Sequence, residues 1–96
     1  MEPITHTLKH PVELKNKDGD VIETITELQL KRFKGADIRA IGNAKSKGEG
    51  EMMAVMISRS AGIPPSTFDQ LDGEDVTEVG VLVAGFIGGA LQIGVT

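Results

Sequence analysis

The chain has 96 residues, no cysteine and a net charge of −4, which fits one small domain and excludes disulfides, thiolate catalysis and Cys-based zinc sites. The charge is uneven, with a balance of +2 up to Lys47, −6 from Gly48 onwards and no Lys or Arg after Arg59. Phosphate backbones are gripped by Lys and Arg, so the second half is a poor nucleic-acid binder, and the first ten residues lack the basic start and apolar run of a signal peptide.

The first segment, "ITHTLKHPVEL", alternates: Ile4, Leu8, Val12 and Leu14 share one parity, with His6 and His10 between them. In "VIETITELQLKRF", Ile22, Thr24, Thr26, Leu28 and Leu30 do the same. A period of two predicts strands. The intervening Asp18-Gly19 is a hairpin signal, so residues 4–32 read as one long hairpin. Pro11 cannot donate to a ladder and belongs at an edge or a bulge. A lone hairpin is marginal in water, so its apolar face needs a helix or another chain.

The period then lengthens. "GADIRAIGNAKS" suits a short helix from Asp37, weakened by Gly42. "KSKGEGE" reads as a flexible break. In "EMMAVMISRSAG", Met52, Met53, Met56 and Ile57 recur at helical spacing, and Gly62 stands where a left-handed cap belongs. Ser66 with Asp69, and Asp72 with Asp75, resemble capping boxes that start two further helices. In the last of these Val76, Val79, Val83 and Phe86 recur every three or four residues. The expected fold is α+β: a hairpin over 4–32, then a small bundle of three to four helices over about 36–87, then a Gly-rich flexible tail over 88–96, all in one domain spanning 1–96.

Few constellations promise chemistry. His6 and His10 are four residues apart, about 13 Å along a strand, too far to share an ion. Asn16, Asp18, Asp20 and Glu27 sit at calcium-loop spacing, but Val21 stands where that loop needs glycine. "GEGEMM" lacks the last glycine and the lysine of a phosphate loop. Neither histidine has a compelling acid partner. No catalytic residue, cofactor or metal is expected. The clustered methionines are either core filling or a groove for imperfectly shaped apolar partners. The run Val79–Leu91 is apolar or glycine throughout, shorter than the about 20 residues of a membrane span. Gly85 and Gly89 make a GxxxG spacing, weak at this length.

Taken in order, "LKHPVEL", "ETITELQLKR", "GADIRA", "ISRSAGIPPSTFDQLDGEDV" and "VAGFI" resemble the phage tail assembly chaperones of Mu-like and related contractile-tailed phages, from about Leu8 to Ile87. The resemblance implies a non-enzymatic factor of the host cytoplasm, absent from the mature virion. It implies binding to the tape measure protein, which is kept soluble, and to the tail tube protein, through a longer frameshifted form. A homo-oligomer is a further expectation. On this reading Met52, Met53, Met56, Ile57, Val76, Val79, Val83 and Phe86 are the candidate client-binding residues. Two rivals stand beside it. One is a small membrane-active phage protein using residues 79–95. The other is a helix–turn–helix regulator over 49–87, which fails because its recognition helix would carry Asp72, Glu74, Asp75 and Glu78 and no Arg or Lys.

Overall fold

The computed structural model describes residues 4–92, with side chains up to Phe86. Two antiparallel strands, β1 (Ile4–Lys15) and β2 (Val21–Leu30), precede four helices, α1 (Gly35–Lys45), α2 (Glu49–Ala61), α3 (Pro65–Phe68) and α4 (Gly73–Gln92). The α+β class and the hairpin-then-helices order are as the residue periods predict. The backbone at 88–92 continues α4, where the sequence suggested a tail. Residues 93–96 of that tail lie outside the described residues.

The strands are joined by a five-residue loop. Asn16 Oδ1 accepts the N–H groups of Asp18 and Asp20 at 2.9 and 3.0 Å, and Gly19 takes φ 87°, a region costly for side chains. The register is not uniform. Ile4 pairs with Leu30 and His6 with Leu28, but Val12 pairs with Ile25. Between Thr7 and Val12, β1 carries three more residues than β2 supplies partners for, a large irregular bulge that holds Pro11. The odd insertion moves the even-numbered residues of β1 from even to odd partners on β2. The single apolar parity read in "VIETITELQL" therefore breaks. Leu28 and Leu30 are buried and Ile25 half-buried, whereas Ile22, Thr24 and Thr26 are exposed.

Only the base of the hairpin is packed. Residues 15–24 are exposed throughout, and the molecule measures 50 × 29 × 22 Å. Leu8, Val12, Leu28, Leu30, Ile41, Met56, Ile57, Leu71, Val79 and Val83 form one core. α2 lies at its centre. Its last turn holds the exit of β2: the Lys31 N–H donates to the Ser60 carbonyl at 3.0 Å, and Ser60 Oγ donates to the Lys31 carbonyl at 2.9 Å. α2 ends as predicted at Gly62, with φ 69° and its N–H on the Ser58 carbonyl.

Three local readings differ from the sequence. The break "KSKGEGE" contracts to Ser46–Gly48, because Glu49–Glu51 already form the first turn of α2. Acids there suit the positive end of the helix dipole. Ser66 caps nothing: Pro64 is the N-cap of α3 and Pro65 its first residue, a position that does not need the missing N–H. Asp72 does cap α4, accepting the Glu74 N–H at 2.9 Å, but Asp75 turns elsewhere.

Candidate functional site

The bulge in β1 leaves backbone donors without ladder partners, and a buried orphan N–H is costly. Asp75, fully buried in the first turn of α4, meets that need. Its Oδ1 accepts the Lys9 N–H at 2.9 Å and its Oδ2 the His10 N–H at 3.0 Å. His6 Nε2 lies 3.3 Å from Oδ1. One carboxylate thus clamps the hairpin to α4. Around it, Lys9 Nζ reaches Glu78 Oε1 at 2.8 Å and Glu74 Oε2 at 3.4 Å, and His10 Nε2 reaches Glu74 Oε1 at 2.9 Å. Contrary to the sequence reading, both histidines have acid partners, and all of them lie more than 60 residues away. A second tie joins α1 to α2, where Asp37 accepts from Arg59 at 2.8 Å and from the Lys34 N–H at 2.8 Å.

These contacts set the protonation of the acids. Burial presses the Asp75 carboxyl upward, but the N–H groups of Lys9 and His10 and the His6 ring outweigh it and hold it below the ordinary 3.8. Asp37 is lowered by the Lys34 N–H and then Arg59, and Glu74 by His10 and then Lys9. Groups with depressed folded pKa values contribute stability above their unfolded pKa and lose it as pH falls through the folded value. The melting temperature is therefore expected to drop on acidification below about pH 4. Asp37→Asn should flatten that acid limb, and an identical limb in the variant would contradict the assignment. His10 has the opposite sign. Glu74 raises its pKa, so its contribution is complete below 6.5 and is lost as pH rises through the raised value.

Among the described residues, two triplets bring candidate metal ligands within 4.8 Å of one another: His6, Asp75 and Glu78, and His10, Asp72 and Glu74. Sequence spacing hid both, because each joins a strand to the start of a distant helix. Their atoms are largely committed to the clamp. Asp75 holds two backbone N–H groups, Glu78 pairs with Lys9, and Asp72 caps α4. The calcium-like Asn16 spends its side-chain oxygen on its own loop. We expect thermal melts in EDTA, zinc or calcium to coincide, and a chelator-induced fall of several degrees would show that an ion completes the clamp.

The eight candidate client-binding residues divide. Met56, Ile57, Val79 and Val83 are core, with Ile57, Val79 and Val83 at 0% exposure. In this conformation they are out of a client's reach. Met52, Met53, Val76 and Phe86 are half-buried and pack on the core's edge. Met53 crosses Gly80, where an added Cβ would stand 3.0 Å from its sulfur. Phe86 meets Phe33 edge-to-face with centroids 6.2 Å apart. The sequence reading missed Val81 and Leu82. They are 72% and 36% exposed and line a shallow groove of about 380 Å³ with His6, Thr77 and Glu78. An apolar run all round one helix turn was the available signal, since a helix packed on one side leaves the other side open.

The class defined by this geometry is a small hairpin-and-helix module with exposed aliphatic surface beside an acidic helix start. The chain belongs to the family of phage tail assembly chaperone proteins (E, or 41 or 14), whose model matches residues 5–88, from the start of the hairpin well into α4. No curated protein and no solved structure matches it. Among the described residues no helix is long and apolar enough to cross a membrane, so the membrane-active reading finds no support.

Proposed function

We propose that the chain binds the tape measure protein and keeps it soluble until the tail is built, without a catalytic step of its own. It works in the host cytoplasm, is absent from the mature virion and helps recruit tail tube subunits, through a longer frameshifted form. The observation that carries this reading is the family match, which takes in both strands and the first three helices. The surface agrees with it. Val81 and Leu82 on α4 offer aliphatic contacts, and the acids around α4 favour basic client segments. Of the residues named from sequence, Met52, Met53, Val76 and Phe86 are those a client could cover without opening the core. Co-expression with the tape measure protein, read as its soluble fraction, tests the reading.

The hairpin also supports self-association. A two-stranded sheet leaves one edge of each strand outside the ladder, and an exposed edge with apolar neighbours is a template for pairing. Light scattering at micromolar concentration should detect a species larger than the 10.2 kDa chain. A constant monomer mass would remove the homo-oligomer from the account.

A further inference from the structure

We propose that the groove between β1 and α4 is a docking site for a client helix that carries a Lys or Arg one turn away from a Leu, Ile or Val. The proposal rests on the chaperone reading above and adds the site and the client's pattern. Two observations meet in the groove. Its floor includes Val81 and Leu82, aliphatic side chains left open to solvent. At its rim, Glu78 Oε2 is a buried carboxylate oxygen with no hydrogen-bond donor, while Oε1 of the same group is held by Lys9. His6 Nε2 is 4.0 Å away, beyond hydrogen-bond length.

That oxygen is closed to solvent in this conformation, so a partner's cation reaches it by turning the Glu78 side chain, which is 37% exposed, and then supplies the missing charge-assisted hydrogen bond. Glu78 lies three and four residues before Val81 and Leu82, so acceptor and floor are separated by about one helical turn of 5.4 Å. A client helix lying along α4 meets both with residues three or four apart. The sign of the partner is fixed as well. Asp72, Glu74, Asp75 and Glu78 outnumber the Lys9 that pairs with two of them, with His6 and His10 beside it, and α4 contains no Lys or Arg. An acidic helix would meet like charge and leave the Glu78 oxygen unsatisfied.

The test uses the full chain and two fluorescent synthetic helical peptides, one with Lys and Leu four residues apart and one with Glu in place of each Lys. The Lys/Leu peptide should bind and the Glu/Leu peptide should not. Val81→Asp and Glu78→Gln should each weaken binding by about tenfold, with melting curves close to that of the parent chain. Val81→Asp is the sharper variant, because it adds negative charge and would strengthen any merely electrostatic attraction. Ile22→Asp, on the exposed hairpin, serves as control and should bind as the parent does. Equal binding of both peptides, unchanged affinity in Val81→Asp, or an equal loss in Ile22→Asp would overturn the proposal. So would sedimentation showing that Val81→Asp dissolves a homo-oligomer, since the groove would then hold a second copy. Co-expression separates this site from the function it serves. If Val81→Asp still keeps the tape measure protein soluble, the groove is wrong and the chaperone reading stands. If the parent chain fails to keep it soluble, that reading falls, and the peptides still decide the groove.

Discussion

Replacing Asp75 by Ala is expected to cost the fold about 2–6 kcal/mol, because two backbone donors lose their acceptor and each unsatisfied donor costs about 1–3 kcal/mol. The lost acceptor bonds are those to the Lys9 and His10 N–H groups, and the His6 ring loses its contact too. For a domain whose whole stability is about 5–15 kcal/mol, that is a large share. The damage should be local first. The bulge would detach from α4, and the exposed hairpin would keep its tie to α2 through Lys31 and Ser60. Asp75→Asn keeps one acceptor oxygen but turns an amide donor towards the other N–H, so its loss should be intermediate. Urea denaturation followed by circular dichroism measures both. Midpoints equal to that of the parent chain would mean that the bulge is held by packing alone.

The second large effect separates core from surface. Met56→Lys is expected to unfold the protein. Met56 is 4% exposed in the central helix. Its side chain contributes about 1.5–3 kcal/mol by burial, and a buried ammonium without a partner adds a further penalty. Val81→Asp, on the open side of α4, should leave the far-ultraviolet spectrum and the melting curve essentially unchanged, as exposed substitutions usually do. Met52→Lys should lie between them, since that side chain is half-buried. If Met56→Lys remains folded, α2 is not the centre of the core, and the methionine cluster returns as a client surface.

The elements legible in the sequence are those that local rules determine. Alternation gave the strands, Pro11 pointed to an edge or a bulge and the structure has the bulge, and Gly62 ended α2 at the expected place. What stayed hidden depends on distant residues or on competition between local rules. Asp75 reads as half of a capping box because Asp72 lies three residues before it. The bulge donors that claim it lie 65 and 66 residues away. Ser66 loses the cap to Pro64 because Pro65 already suits the first position of α3. The even parity of β1 could be seen, but not that the bulge would re-pair it with odd residues of β2. For the candidate site, helical spacing picked Val79 and Val83, which face the core, and passed over Val81 and Leu82. In a run this apolar, periodicity cannot say which side is covered; that depends on where α2 and β1 lie.

The central claim is that the chain keeps the tape measure protein soluble, and the most direct measurement is the soluble fraction of that protein when the two are co-expressed. The account predicts that the tape measure protein, insoluble alone, enters the soluble fraction and co-purifies with the parent chain. It should return to the pellet when the unfolded Met56→Lys variant replaces the parent. A tape measure protein that is equally soluble with the parent chain, with Met56→Lys and with no partner at all would contradict the account.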